Sequence, residues 1–466
     1  MLNGLGLLAL FGAVPLAAWA VVSTGTLRVW VVVLSTVPIL RITVAGAPLY
    51  AIDLLAGLAI VGLLARRTVR PAWRDLPARL RLLLICYLGS LSVPLVVQVV
   101  STPYAAEALY GFGRELAALA ALPIGLVVGR SERRTQRMLG WLVAGATATA
   151  VVAIAQRTPG LAPSVNDALQ VLSPGLASGA ARTYPGRSVA FMAAPTALSG
   201  FLCLVLLLVV FGWLRRHPWM QGLVVLVVAG GLLSTYSRQW LPAFLVGLAV
   251  AGRLGTRRAG KRSRRLLSGG LALTVVLFTV GPLDLDYLVD RVTATGSDDA
   301  NVATRLERQR AFIGNVVAEP LTFMAGEGFA LQDIGLRQSL AGEQLWGLEV
   351  RQGYTDNSFL LEFANRGVLA GLLYLGILGA SIRRAVRVRR VATVPPELVA
   401  FSAALCAAAV LHLFDNYFSE AIFMRMTLWL LIGLTNGCVS RTRAATPAEP
   451  AGPHPVVLRR ERGPAR

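Results

Sequence analysis

The chain has 466 residues, of which 55% are hydrophobic, and its mean hydropathy is +0.63. These values exclude an ordinary soluble domain, and apolar runs of about 17 to 25 residues have the length that crosses a bilayer. The net charge is +21, from 45 lysines and arginines against 24 aspartates and glutamates. Most basic residues lie in every second connection between apolar runs, as the positive-inside rule requires, which argues against nucleic-acid binding.

Apolar segments recur along the chain at lengths that favour membrane helices. They lie at 5–22, 29–45, 49–65, 82–100, 115–129, 138–155, 189–213, 219–236, 240–252, 266–283, 358–381, 398–414 and 420–438. The pattern predicts an all-α polytopic membrane protein with about 12 to 13 transmembrane helices. We predict one integral membrane domain over residues 1–439, followed by a basic cytoplasmic tail at 440–466 whose composition favours disorder.

Basic clusters mark the connections that the positive-inside rule places in the cytoplasm. They lie at 66–81, 130–137, 215–216, 253–265, 383–390 and from 441 onward. These connections are short, and the chain has no Walker motif or dinucleotide fingerprint after a strand. The sequence therefore argues against ATP-driven transport by this chain alone.

Two longer connections are predicted on the opposite face. The first, 156–187, is rich in proline, glycine and serine, and the second, about 282–356, is the one place for a sizeable structure outside the membrane. Within the second, ANVATRLERQRAFIGNVVAEP predicts an amphipathic helix that Asn301 caps and Pro320 ends. The stretch FMAGEGFALQD then predicts a glycine turn.

Cysteine and histidine patterns give no sign of metal or redox chemistry. The four cysteines lie in or beside apolar runs, there is no CxxC pair, and the three histidines have no ligand spacing. We therefore expect no disulfide framework, no metal site and no cofactor.

Arginines on the outer face are not explained by the positive-inside rule. Those in the outer connections are Arg157, Arg182, Arg187, Arg291, Arg305, Arg308, Arg310, Arg337 and Arg351. Arg238 lies in a short turn, LLSTYSRQWLPAF, where a charge between two membrane helices needs a partner. Because a guanidinium pairs with phosphate in bidentate fashion, the set indicates a phosphate or pyrophosphate site. The alternative for each loop arginine is surface solvation or pairing with a loop aspartate.

Polar residues also open the segment DNSFLLEFANRGVLAGLLYLG. Asp356 is either a general base or a helix N-cap, and the spacing leaves both open. Glu362 and Arg366 are four residues apart, which favours a structural ion pair on one helix face. Arg366 lies about 15 Å deeper than Asp356 along a helix, so we do not expect it at the headgroup site. A second patch includes Asp415, Asn416 and Glu420, in which Glu420 is a candidate partner for Arg425.

These elements together resemble the O-antigen ligase/polymerase superfamily, the Wzy and WaaL type of membrane glycosyltransferase. The similarity extends over roughly residues 180 to 440. The segments that carry it, in chain order, are ARTYPGRS, TYSRQWLPAFLVGLAVAG, RVTATGSDDANVATRLERQRAFIGNVVAEPLTFMAGEGF and DNSFLLEFANRGVLAG.

The resemblance implies a GT-C-like fold in the bacterial inner membrane. It implies metal-independent, inverting transfer of a glycan from undecaprenyl pyrophosphate at the extracytoplasmic face. It assigns catalysis to Asp356, Asn357 and Arg305. It assigns pyrophosphate binding to Arg182, Arg187, Arg238 and Arg291. The implied partners are the undecaprenyl-pyrophosphate-linked oligosaccharide, membrane lipids, a flippase and chain-length regulators, with no nucleic acid.

Asp356 also bears on the choice between two activities in this superfamily. Ligases usually carry histidine at this position and polymerases more often show Asp-Asn, so the chain favours a polymerase of O-antigen, capsule or exopolysaccharide repeat units. A ligase that transfers finished glycan to a lipid or other acceptor is the alternative. A polysaccharide or lipid transporter is a second alternative, although the chain shows no clear internal repeat and its polar groups cluster at one face.

Overall fold

The computed structural model describes the main helical part of the chain. It covers residues 25–36, 41–44, 47–65, 67–101, 105–158, 160–172, 187–190, 192, 194–213, 218–255, 357–388, 394–414, 418 and 421–445, and from the long second outer connection only 307, 309–310, 314, 324–326 and 328–329. Predicted spans 5–22 and 266–283, Asn301, Pro320 and the tail beyond residue 445 lie outside these residues.

Helices make up nearly all of the described chain, with one short hairpin. In order the elements are α1 Gly25–Thr36, β1 Arg41–Val44, β2 Ala47–Tyr50, α2 Ala51–Ala65, α3 Val69–Arg74, α4 Ala78–Ser90, α5 Ser92–Ser101, α6 Ala105–Leu119, α7 Ala121–Gly129, α8 Glu132–Ala155, α9 Ala162–Leu172, α10 Pro195–Gly212, α11 Pro218–Leu233, α12 Trp240–Leu254, α13 Ser358–Arg387, α14 Pro396–Phe414 and α15 Ile422–Ala445.

Seven helical segments in the described residues are long and apolar enough to cross a membrane. They are Ala78–Val100, Ala108–Gly129, Glu132–Ala155, Pro195–Gly212, Ser358–Arg387, Pro396–Phe414 and Ile422–Ala445. Two shorter apolar helices, α11 and α12, accompany them. The prediction of a helical, multi-pass membrane protein is confirmed, while the total of 12 to 13 spans stays a prediction.

The predicted span 29–45 is wrong in its second half. Helix α1 ends at Thr36, and β1 and β2 then form an antiparallel hairpin in which Arg41 pairs with Tyr50 and Val44 with Ala47. The segment RITV has three consecutive β-branched residues, which favour strands. Pro48 follows and cannot donate a helical hydrogen bond, so apolarity alone misled the prediction of a helix here.

Polar contacts join several helix ends at the basic end of the bundle. Arg384 of α13 donates to Asn436 and to Ser440 of α15, each at 2.9 Å. Arg130, just after α7, forms a 2.8 Å ion pair with Asp75, which follows α3. Arg384 also donates to the Asp75 carbonyl at 3.5 Å, so the C-terminal parts of α7, α13 and α15 lie together.

Helices α8, α10 and α14 reach the same basic end. Gln136, near the start of α8, donates to the carbonyl of Gly212 at the end of α10 at 3.1 Å and also to Glu397 at the start of α14. Arg441 of α15 lies 3.6 Å from the Glu397 carboxylate. Because these termini meet, the end of α8 and the starts of α10, α13 and α15 lie at the opposite end, which we call the polar end.

Close glycine packing holds α15 in the centre of the bundle. A Cβ at Gly125 of α7 would lie 3.0 Å from the Cα of Gly433, and one at Gly437 of α15 would lie 3.0 Å from the Cα of Gly129. Each helix thus presents a GxxxG pair that lets the two backbones approach. This parallel contact places the first turn of α15, which carries Arg425, inside the polar end.

Candidate functional site

A turn at the polar end connects α11 to α12 and carries Arg238. Arg187 reaches this turn from the segment that precedes α10, and its Nε donates to the carbonyl oxygen of Thr235 at 2.9 Å. The backbone N–H of Ser188 donates to the carbonyl of Ser234 at 3.1 Å. The structure thus brings the segment of Arg187 and the turn of Arg238 into direct contact.

Tyr236, at the apex of this turn, has a left-handed backbone conformation with φ of 48°. A non-glycine residue in this region carries about 1 to 2 kcal/mol of strain, so the surrounding contacts must hold it there. One such contact is the guanidinium of Arg157, whose Cζ lies 5.5 Å from the Tyr236 ring centroid. This distance is within the range of a cation–π interaction.

Gln156 ties the end of α8 to the same cluster. Its Oε1 accepts hydrogen bonds from the backbone N–H groups of Val189 at 3.1 Å and Ala190 at 2.7 Å. Three segments therefore converge on Tyr236. We call Arg157, Arg187, Tyr236 and Arg238 the arginine turn.

The arginine turn has the charge and exposure of an anion site. The three arginine side chains are half-buried, so each is held by protein and still reaches solvent. The Nε atom of Arg157 is enclosed and makes no hydrogen bond within the described residues. Arg157 lies over an aromatic ring, and Arg187 donates to a backbone carbonyl. An anionic headgroup would complement this arrangement.

The predicted site residues fall into two groups. Arg187, Arg238 and Asn357 are described, whereas Arg182, Arg291, Arg305 and Asp356 lie outside the described residues. Arg157 belongs to the arginine turn but was not among the predicted site residues. The sequence placed it among the outer arginines that indicate a phosphate site, but the resemblance gave it no role.

Asn357 caps the first turn of α13. Its Oδ1 accepts from the backbone N–H of Phe359 at 3.0 Å and of Leu360 at 3.2 Å. Asparagine is a preferred N-cap because these first amides have no partner inside the helix. The side-chain carbonyl of Asn357 is therefore engaged in capping, and its amide group remains for other contacts.

A buried cluster of four charges lies near the start of α13. Glu115 Oε2 is 2.8 Å from Arg366 Nη2 and 2.9 Å from Arg425 Nη1. Glu362 Oε1 is 3.0 Å from Arg366 Nη1 and also pairs with Arg425 Nη2. We call Glu115, Glu362, Arg366 and Arg425 the charge quartet.

The charge quartet is electrically balanced and closed to solvent. Its two carboxylates and two guanidinium groups have side-chain exposures between 1% and 6%. The predicted pair of Glu362 and Arg366 is present. Arg425 contacts Glu115 and Glu362, whereas Glu420, its predicted partner, lies outside the described residues, so that pairing stays a prediction. The quartet joins α6, α13 and α15 and is structural.

His412 of α14 is enclosed by aromatic rings beside the quartet. Its ring stacks on Phe359 at 4.8 Å and on Phe418 at 4.1 Å between centroids. Nδ1 lies 2.6 Å from the Ala408 carbonyl, which can only accept, so Nδ1 carries the proton. Nε2 therefore accepts from the Tyr374 hydroxyl at 2.6 Å. Both ring nitrogens are used, which assigns His412 a packing role.

The glycine turn predicted in FMAGEGFALQD is confirmed. Gly326 and Gly328 have φ angles of 88° and 107°. The Gly328 N–H donates to the Asn365 carbonyl at 2.9 Å, and the Phe329 N–H donates to Gln98 Oε1 at 2.6 Å. The turn is thereby anchored against α5 and α13.

Metal chemistry and known relatives add no further assignment. Among the described residues, no three His, Cys, Asp or Glu side chains group in a way that could hold a metal ion. All four cysteines are free thiols. Comparison of the chain with protein-family models gave no match, and a search of curated proteins gave none either.

Proposed function

We propose that the protein is an integral-membrane glycosyltransferase that polymerises undecaprenyl-pyrophosphate-linked oligosaccharide repeat units at the extracytoplasmic face of the bacterial inner membrane. The single observation that carries the proposal is the arginine turn. Arg157 and Arg187 contact the turn that carries Arg238, at the end of the bundle opposite the basic connections, which the positive-inside rule assigns to the outside.

A pyrophosphate bound at the arginine turn is the leaving group of the proposed reaction. The acceptor hydroxyl oxygen attacks the anomeric carbon, the bond from that carbon to the pyrophosphate oxygen breaks, and undecaprenyl pyrophosphate departs. Negative charge on the pyrophosphate grows as this bond breaks, so fixed guanidinium groups stabilise the transition state more than the ground state. One such displacement inverts the anomeric centre.

Asp356 is the proposed acceptor of the hydroxyl proton. It directly precedes Asn357, which caps α13 at the polar end. The sequence left two roles open for Asp356, general base or N-cap. Asn357 is the residue that caps the helix. This supports the general-base role for Asp356, with Arg182, Arg291 and Arg305 as further proposed contacts to substrate.

The test is reconstitution of the purified full chain in liposomes with an undecaprenyl-pyrophosphate-linked repeat unit as the sole glycan. We expect a ladder of longer lipid-linked products. Arg187→Ala, Arg238→Ala and Asp356→Asn should each lower the rate at least tenfold. Arg134→Ala is the matched control, because Arg134 is an exposed arginine at the basic end, and it should leave the rate unchanged.

Other outcomes would reassign the protein. Turnover only after a separate acceptor is added would make it a ligase. Movement of the lipid-linked glycan between leaflets without a new glycosidic bond would make it a transporter. A ladder that persists in Asp356→Asn would remove Asp356 as the base.

A further inference from the structure

We propose that the glycine turn acts as a latch that holds the first part of α13, and that Gln98 is the positioning residue that closes it. The latch consists of Gln98, the turn residues Met324–Gly326 and Gly328–Phe329, and the break in α13 at Gly367. It joins the second outer connection to the membrane bundle beside the charge quartet.

Helix α13 is broken at Gly367. This residue has φ of 82° and ψ of 165°, far from helical values, so α13 consists of a short helix, Ser358–Arg366, and a longer one beyond it. In an unbroken helix the Asn365 carbonyl would accept from the amide four residues later. Here it accepts from the Gly328 N–H at 2.9 Å, so the turn satisfies a carbonyl at the break.

The glycine turn packs so closely against the break in α13 and against Gln98 that three positions have no room for a Cβ. A Cβ at Gly326 would lie 2.6 Å from the carbonyl carbon of Arg366, and one at Gly367 would lie 2.9 Å from that of Ala325. A Cβ at Gly328 would meet the side chain of Gln98, with its Cδ 2.6 Å away. All three glycines also have positive φ, which other residues rarely adopt.

Gln98 is an unusual residue for its place in the chain. It is 1% exposed within α5, whose sequence is SVPLVVQVVS, inside the span Ala78–Val100. A buried polar group in a membrane span is unfavourable unless it is hydrogen-bonded. Its Oε1 accepts from the Phe329 N–H at 2.6 Å, which satisfies the side-chain oxygen and fixes the turn to α5.

Phe329 completes the contact. Its ring meets Phe112 of α6 edge to face at 5.4 Å, and the guanidinium of Arg366 lies 5.7 Å from its centroid. The short helix Ser358–Arg366 is therefore held at its end by the latch and along its face by the charge quartet. Its start is the Asn357 cap, so the latch determines where this cap lies. That this cap adjoins a catalytic site rests on the proposed function.

The experiment measures hydrogen–deuterium exchange of the full chain in nanodiscs. Gln98→Leu removes the acceptor at similar volume, and Gly328→Ala forces a Cβ against Gln98. We expect at least tenfold faster amide exchange in Ser358–Arg366 for both variants, with α10 unchanged. Gln221→Leu is the matched control, since Gln221 is another buried glutamine in an apolar helix, and its Nε2 donates to the carbonyl of Val209 at 2.6 Å. Gly222→Ala has open space at its Cβ and controls for the glycine change.

Two results would overturn the latch. The first is unchanged exchange in Ser358–Arg366 for Gln98→Leu and Gly328→Ala. The second is an equal rise in α10, which would mean general destabilisation. Exchange does not depend on activity, so the latch can fail while the glycan ladder is formed. Conversely, the ladder can be absent while the exchange pattern supports the latch.

Discussion

Arginines occupy the polar end of the bundle in two contrasting regions. In the arginine turn, half-buried guanidinium groups contact a backbone carbonyl and an aromatic ring. In the charge quartet, Arg366 and Arg425 are enclosed, and each pairs with both Glu115 and Glu362. The difference teaches that arginine at a membrane surface is not by itself a sign of ligand binding. Burial with balanced carboxylates indicates structure, whereas guanidinium groups that still reach solvent are accessible to an anion.

The largest expected effect comes from removing one cation of the quartet. Arg425→Met leaves the two carboxylates of the quartet with one of its two guanidinium groups, that of Arg366, in a buried site. Breaking a buried ion pair in this way typically lowers stability by about 3 to 5 kcal/mol. We expect a loss of that size in the free energy of unfolding, measured by SDS titration in mixed micelles. A loss below about 1 kcal/mol would show that the quartet is not a structural unit.

Replacing all four residues of the charge quartet should lower the free energy of unfolding less than replacing Arg425 alone. Glu115→Gln, Glu362→Gln, Arg366→Met and Arg425→Met together remove every charge, so no carboxylate is left buried without a cation. Neutral replacement of complete buried ion pairs is often close to neutral for stability. We expect the fourfold variant to unfold at a higher SDS fraction than Arg425→Met alone. The reverse order would mean that the ion pairs themselves supply net stability.

Truncation in the arginine turn should affect anion binding more than folding. Arg187→Ala removes the hydrogen bond to the Thr235 carbonyl, and we expect the loss of this bond to lower the free energy of unfolding by about 1 kcal/mol. Binding of undecaprenyl pyrophosphate, measured by native mass spectrometry, should weaken at least tenfold, because one charge-assisted contact is lost. Equal binding by Arg187→Ala and the wild-type protein would remove Arg187 from the headgroup site.

The smallest effect concerns the helix cap at the start of α13. Asn357→Ala leaves the Phe359 and Leu360 amides without their acceptor, and loss of an N-cap typically lowers stability by about 1 kcal/mol. Asn357→Asp keeps an acceptor and should retain the wild-type value in the same SDS titration. If Asn357→Asp were as unstable as Asn357→Ala, capping would not be the role of this side chain.

Local patterns predicted the features that depend on local spacing. The pair of Glu362 and Arg366 is one helical turn apart and forms in the structure as the i, i+4 rule indicates. The glycine turn was predictable because two closely spaced glycines favour a turn, and Gly326 and Gly328 do adopt positive φ in the structure. The contact of Gln98 with the glycine turn was not predicted, because a single glutamine in an apolar run gives no indication of which distant group it bonds.

The sequence by itself determined the membrane class of this protein and the end of the bundle where basic residues gather, because hydrophobic length and charge alternation are properties of consecutive residues. Tertiary structure decided the partners of Arg425, the convergence of Arg157 and Arg187 on the turn of Tyr236, and the latch between Gln98 and Phe329. Each of these joins separate segments of the chain, and which groups meet depends on the order and rotation of packed helices rather than on spacing along the chain.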